Sequence, residues 1–314
     1  MTRRILQSLL CAGACLCMPR SAAAADILCD PSYENCRTRL LDLIKNETVG
    51  IDVAFWFMED ARYTAALIQK WQEGVPVRVL VDPRGSNTNP LNADRLAELK
   101  AGGLPMRKRT NPDIMHFKVM LFDGQKTVQF SAANYSAQAF VPDPPYVNYI
   151  DEMIYFTDQE SIVNSFRTKY DDLWTNTKNY GNYANITAPL TRRYATFPKD
   201  PELNFPPDES YRSRAIPLLD AEKTGIDVTM YRTTDRSYSD ALIRAVQRGV
   251  VVRFLTEGEQ YRNPARYMHS WNVDRMYMAG VQIRQRAHEG LNHQKSAQLH
   301  SQQMVIWGSS NWQA

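Results

Sequence analysis

Two short stretches of the chain each place an imidazole and an ammonium group two residues apart. They are His116 and Lys118 in IMHFKVMLFDGQKTVQFSAANYS, and His293 and Lys295 in LNHQKSAQLHSQQMVIWGSSNWQA. Residues i and i+2 of a strand project to one face, so each pair would aim both groups into one cleft. Small polar residues trail each pair: Ser131 and Asn134 in the first stretch, Gly308, Ser309 and Asn311 in the second. Lysines neutralise the non-bridging oxygens of a phosphate ester, and Ser and Asn donate hydrogen bonds to them. One histidine can attack phosphorus while the other protonates the leaving oxygen. Such a set needs no metal and no other cofactor, because the lysines supply the positive charge. A single His-x-Lys would carry almost no weight; two at matched places carry much more.

The places do match, because the chain is a repeat. Residues 50–82 (GIDVAFWFMEDARYTAALIQKWQEGVPVRVLVD) align without a gap to residues 225–257 (GIDVTMYRTTDRSYSDALIRAVQRGVVVRFLTE), with 15 of 33 positions identical. Each copy reads as a β-rich run, a helix capped by an Asp and closed by a Gly, and a second apolar strand. That is a βαβ unit, and NADRLAELKAGG and NVDRMYMAGV add a further helix to each copy. From the glycine of GIDV to the histidine is 66 residues in one copy and 68 in the other. The expected class is α/β in two pseudo-symmetric α-β-α halves, with mixed sheets flanked by helices and the two clefts merging at the junction.

The rest of the sequence frames those halves. Residues 1–25 carry Arg3 and Arg4, a short apolar run and then small residues, which is the pattern of a secretory signal peptide. The apolar run is too short to span a bilayer. The expected parts are therefore a signal peptide over 1–25, a first half over 26–178, a linker over 179–210 rich in Pro, Asn and Tyr, and a second half over 211–314. The whole chain has 37 basic and 34 acidic residues. Arg3, Arg4 and Arg20 leave with the signal, so the mature chain is formally neutral and lacks the global basic surface that strong non-specific nucleic-acid binding requires. Cys11, Cys15 and Cys17 leave too. Cys29 and Cys36 remain, and in an oxidising compartment they read as a disulfide stapling the mature N-terminus, with a metal or redox site as the lesser alternative.

The stretches HFKVMLFDGQKTVQFSAAN and HQKSAQLHSQQMVIWGSSN resemble the two HKD motifs of the phospholipase D superfamily, and the resemblance spans nearly the whole mature chain. It implies one α/β sandwich with the site at the junction, and phosphodiester cleavage or transfer through a phosphohistidine. It implies His116 as nucleophile and His293 as general acid, an order that the symmetry of the repeat leaves open. It also implies that Lys118, Lys295, Asn134 and Asn311 hold the phosphoryl group, helped by Ser309. The motifs depart from the pattern at three points. Asp123, expected to be structural, has His300 as its counterpart. FSAAN stands where a Gly-Ser is expected, so Ala132 removes a hydroxyl, and Ser131 is the expected substitute for substrate binding. An acidic residue that orients a histidine is expected in VNYIDEMIYF, where Asp151 aligns better than Glu152. Only three residues follow Asn311, so the equivalent carboxylate, strand and helix of the second half are missing, and the sequence reads as a shortened one.

Other features attract less. AFWFM at 54–58 is read as a buried strand more readily than a lipid-facing mouth, RKR at 107–109 as a solvated turn, and His269 and His288 as non-catalytic. The resulting expectation is a secreted or periplasmic, monomeric phosphodiesterase acting on phospholipid, by hydrolysis or headgroup transfer. The alternatives are a secreted endonuclease of the same superfamily, with nucleic acid as substrate, and an inactive binding module.

Overall fold

A computed structural model of the chain describes residues 25–141, 149–287 and 289–313. The expected signal peptide lies almost wholly outside the described residues, as does His288. In chain order the first half runs β1 (Ile27–Cys29), α1 (Cys36–Asn46), β2 (Ile51–Phe55), α2 (Ala61–Gln72), β3 (Val77–Val81), α3 (Leu91–Ala101), β4 (Met106–Arg109), β5 (Lys118–Phe122), β6 (Thr127–Ser131), β7 (Ile154–Thr157), α4 (Glu160–Thr175) and β8 (Tyr180–Ala184). The second runs α5 (Tyr211–Ala221), β9 (Gly225–Met230), α6 (Arg236–Gln247), β10 (Val251–Thr256), α7 (Gly258–Arg262), α8 (Tyr267–Met278), β11 (Gln282–Gln285), β12 (Lys295–Leu299) and β13 (Met304–Trp307). Among the described residues, no helix is long and apolar enough to cross a membrane.

The two sheets share one plan. The first has the order β1-β7-β6-β5-β2-β3-β4-β8, and the second β11-β10-β9-β12-β13. In both, the GIDV strand pairs in parallel with the strand after its helix (β2 with β3, β9 with β10) and antiparallel with the strand that opens on the motif lysine (β2 with β5, β9 with β12). The helices form where the caps direct them. Asp60 accepts the Arg62 N–H at 3.1 Å ahead of α2, and Asp235 accepts the Ser237 N–H at 2.9 Å ahead of α6. Gly74 and Gly249 close these helices at φ +87° and +83°, a conformation that a side chain would strain.

Burial differs between the sheets, and the sequences record it. β2, β3 and β5 are buried at every position. One face packs against α1, α2 and α3. The other packs against α4 and the connecting segment, with Val119, Leu121, Phe166, Tyr170 and Phe205 in one cluster. Strands covered on both faces read as continuous apolar runs. In β10, by contrast, Val252, Phe254 and Thr256 are buried while Val251 and Arg253 are exposed, the period-2 alternation of a sheet covered on one face.

The segment read as a linker over 179–210 begins with β8, which extends the first sheet by pairing antiparallel with β4. Its later part lies over α4: Arg193 bonds Asp52 at 2.9 Å, the Tyr194 hydroxyl bonds Asp52 at 2.7 Å, and Asp52 also holds Arg78 of β3. The RKR stretch is not a solvated turn. It is β4, and Arg107 is buried with its guanidinium on the carbonyls of Asn176 (3.1 Å) and Tyr180 (2.6 Å), closing the end of α4. Cys29 and Cys36 form a disulfide with Cα atoms 5.9 Å apart, tying the end of β1 to the start of α1.

His269 is a core histidine. It is fully buried, its Nδ1 accepts the Thr233 N–H at 3.0 Å, and its Nε2 lies 2.9 Å from the Thr256 hydroxyl. That network needs the neutral ring, and burial, aided by Arg232, lowers its pKa from 6.5 to about 4. The unfolded chain takes up the proton below pH 6.5 and the folded chain does not. Stability is therefore whole above pH 6.5 and lost as pH falls through about 4, by up to about 3 kcal/mol. Urea unfolding at pH 7 and pH 4.5 should show this loss, and His269→Gln should flatten it. An unchanged slope in the variant would assign the acid sensitivity elsewhere.

Candidate active site

β5 and β12 are central strands, and each opens on its motif lysine. Lys118 lies opposite Phe55 of β2, and Lys295 opposite Met230 of β9. Their position in the sheets buries both side chains to 2% exposure. Each ammonium group bonds the carbonyl of its own motif histidine, Lys118 to His116 at 3.0 Å and Lys295 to His293. The Lys295 Nζ also stands 5.0 Å from the centre of the Tyr231 ring.

The motifs meet because the chain pairs across the junction. Asp151 and Asn292 form a parallel bridge, with the Asp151 N–H on the Leu291 carbonyl at 2.8 Å and the His293 N–H on the Asp151 carbonyl at 3.1 Å. Neighbouring residues of an extended segment point to opposite sides. Glu152 therefore faces the site, where its carboxylate bonds His293 Nδ1, and Asp151 faces away to pair with Arg286 at 3.0 Å. The sequence preference for Asp151 as the orienting carboxylate is corrected to Glu152. Arg286 also holds the Tyr149 carbonyl at 2.6 Å. Gly290 permits this approach: at φ +93°, a Cβ there would stand 2.1 Å from the Tyr149 oxygen.

His116 has a different partner. A hydrogen bond with the backbone of Ser309 acts on its ring, and the Trp56 ring lies 6.0 Å away. Ser309 reaches it because Trp307 of β13 stacks on Phe130 of β6 at 5.2 Å and 10°, binding the second sheet to the first. The turn glycine donates inward: the Gly308 N–H bonds the Lys295 carbonyl at 3.2 Å. That N–H is thus engaged within the turn, while a Cβ at Gly308 would meet nothing within 4 Å among the described residues.

Each Asn is set by the aromatic residue after it. The Tyr135 carbonyl accepts the N–H groups of Glu59 and Asp60 at 2.9 and 3.1 Å. The Trp312 carbonyl accepts those of Thr234 and Asp235 at 2.8 and 3.0 Å. Both rings are buried, and Trp312 stacks on Tyr238 at 4.6 Å. These matched clamps hold Asn134 and Asn311, whose side-chain oxygens have no hydrogen-bond partner. Which amide atom is oxygen and which is nitrogen follows from the network around it, so either amide can turn its NH2 toward an anion. Ser131 does not do what the sequence suggested. Its hydroxyl bonds the Ala133 carbonyl at 3.3 Å and receives Gln129 at 3.3 Å, so it braces the turn carrying Asn134 and is not directed to substrate. Asp123 is structural: it pairs with Arg167 of α4, while its N–H meets the Gly50 carbonyl at 3.0 Å. His300 repeats this on Gly225 at 3.0 Å, and its ring bonds Asp227 at 3.0 Å.

The electrostatics follow from concentrated positive charge in a buried place. Burial pushes the Lys118 ammonium well below its ordinary value, and Lys295 adds to this. Burial lowers Lys295 to about 7, with Glu152 opposing. Burial raises Glu152 to about 8, with the two lysines pulling it back. Burial also holds both histidines well below 6.5, reinforced by Lys118 and Lys295. His293 and Glu152 are in hydrogen-bond contact, and burial lowers the proton affinity of the ring while raising that of the carboxylate, so the pair carries a proton between them. His116 stands neutral at pH 7, with a lone pair to offer. Glu152 is the carboxylate that acts on Lys118 and Lys295, while Lys118, Lys295 and Arg232 all act on His116 and His293. Desolvated cations in excess make such a site bind an anion.

Tyr231, Arg232 and Trp312 were not singled out in sequence, and Trp56 only as part of the AFWFM run. The repeat alignment held the signal for two of them, since Trp56 aligns with Tyr231 and each lies against a motif histidine, at 6.0 and 4.7 Å.

The family model described as cardiolipin synthase, PLD-like domain, matches residues 40–174 and 216–314. No curated protein matches the chain. Among solved structures, phosphatidylserine synthase from Haemophilus influenzae Rd KW20 superposes with a TM-score of 0.65 at 14% identity, covering 87% of this chain and 75% of that one. Polyphosphate kinase from Porphyromonas gingivalis superposes with a TM-score of 0.58 at 16% identity, over 92% of this chain and 46% of that one. The phospholipase D family member Nuc from Salmonella typhimurium gives 0.44 at 20% identity, over 52% of this chain and 99% of that one. At such identities the first two superpositions speak to the fold alone.

Proposed function

The chain belongs to the PLD-like family described as cardiolipin synthase, PLD-like domain, and from that premise we propose that it is a metal-independent phosphodiesterase or phosphatidyltransferase acting through a phosphohistidine. The observation that carries this is the meeting of both His-x-Lys strands: two histidines and two buried lysines around one carboxylate. In the first step neutral His116 attacks phosphorus, forming a P–N bond. The P–O bond to the leaving alcohol breaks, and that oxygen takes the proton shared by His293 and Glu152. In the second step His293 removes a proton from water or an acceptor alcohol. The oxygen of that acceptor attacks phosphorus, and the P–N bond breaks to restore His116. Lys118, Lys295, Asn134 and Asn311 hold the non-bridging oxygens throughout, supported by Ser309. Charge develops on those oxygens in each transition state, where fixed desolvated donors act most strongly.

Phospholipid is the substrate class this reading favours. The formal neutrality of the chain after its leader supports it, because a nuclease draws affinity from a basic surface. The leader pattern and the Cys29–Cys36 disulfide support a secreted or periplasmic place of work. The test is turnover in EDTA of phosphatidylglycerol vesicles beside single- and double-stranded DNA. Lipid turnover that survives EDTA is expected. Turnover of DNA alone would replace the substrate class, loss in EDTA would remove the metal-free mechanism, and silence on all three would leave a binding protein.

A further inference from the structure

Arg232 breaks the symmetry of the site, since Phe57 aligns with it in the first half. Its carbonyl is fixed by the Trp312 N–H at 3.0 Å. Its Nε donates to Gln260 at 2.7 Å, Gln260 donates to the Tyr231 hydroxyl at 2.9 Å, and the guanidinium lies 5.3 Å from the centre of the Tyr231 ring. The Tyr231 ring in turn packs edge-on to His293 at 4.7 Å. The guanidinium is thus held from one side, by Gln260 and the Tyr231 hydroxyl. Among the described residues no carboxylate pairs with it, and the charged residue acting on it is another cation, Arg266. It borders the reacting centre through Tyr231, whose ring lies 4.7 Å from His293 and 5.0 Å from the Lys295 ammonium, and its charge acts on both of these groups. A half-buried arginine without a carboxylate is costly unless an anion arrives to meet it.

We propose that Arg232, held by Gln260 and Tyr231, forms a second anion subsite beside the scissile phosphodiester, on the His293 side, and that it takes a further phosphate of the same substrate. A planar guanidinium offering two N–H groups matches two phosphate oxygens, which a lysine cannot do. The site therefore distinguishes substrates with a second phosphate close to the first from those with one. This rests on reading the site as a phosphodiester centre.

Calorimetric titration of the full mature chain with inorganic phosphate and with pyrophosphate tests it without requiring turnover, so a failure of the catalytic reading stays separate. Pyrophosphate should bind more tightly than phosphate. Arg232→Gln should weaken pyrophosphate by about tenfold or more and phosphate by less than about threefold, the scale of one lost charge-assisted bond. Arg232→Lys should keep the charge and recover only part of the difference. Equal losses for both probes, or none, would overturn the proposal. Two pairs then locate the source of the second phosphate: the 3′-phosphorylated dinucleotide dTpTp against dTpT, and diphosphatidylglycerol against phosphatidylglycerol vesicles. A preference for the doubly phosphorylated member that Arg232→Gln removes in either pair supports the subsite and names its source. A preference that the variant leaves intact in both would overturn it.

Discussion

His116→Ala should lower phosphodiester turnover by at least about 10,000-fold, because a covalent route has no second entry once its nucleophile is gone. His293→Ala should fail differently. With bis(4-nitrophenyl) phosphate the leaving 4-nitrophenolate needs no proton, so the first step survives the loss of the acid. The second step, which must deprotonate water, does not. His293→Ala should therefore release one equivalent of 4-nitrophenol per protein and stall as a phosphohistidine, visible by intact-protein mass, whereas His116→Ala should give neither burst nor adduct. The reverse pattern would exchange the two roles. Adducts in both variants would remove the single-nucleophile mechanism. The neutrality of His116 sets the acid limb as well. Its pKa lies well below 6.5, through burial first and Lys118 next, so the ring remains unprotonated as pH falls past 6.5 and kcat/KM should decline only at lower pH.

Glu152→Gln should cost about 100- to 10,000-fold in kcat, the range for removing the carboxylate that orients a proton-transferring imidazole. The amide keeps the shape and an acceptor for Nδ1, but it cannot share the proton or balance an imidazolium. It also leaves Lys118 and Lys295 without their carboxylate, so affinity for inorganic phosphate should hold or rise while kcat falls. A residue that merely supported the fold would not divide the two measurements in that way. Asp151→Asn is the control. Its carboxylate pairs with Arg286 away from the rings, and the loss should stay under about tenfold. Equal effects of the two substitutions on kcat would refute the assignment to Glu152.

Why the sequence left these two acids unresolved is plain from their setting. Everything that depends on local spacing was legible: the repeat, the strand that opens on each lysine, the caps at Asp60 and Asp235, the cysteine pair. The choice between Asp151 and Glu152 depends on the bridge from Asp151 to Asn292, far away in sequence, and a slip of one residue there would present the other side chain. Ser131 misled for a similar reason. Its motif position suited a phosphate donor, but Gln129 and the Ala133 carbonyl engage its hydroxyl. RKR at 107–109 looked solvated because its charges hid a strand, and the carbonyls that take up Arg107 lie some seventy residues on. Arg232 drew no notice because attention went to what the halves share, and it is a place where they differ.

The carboxylate belongs to one copy of the duplication and the ring that it holds belongs to the other. The relay therefore exists only where the two halves meet, along the Asp151–Asn292 bridge. Separating the halves would part the His293 ring from its carboxylate while leaving each lysine on its own strand.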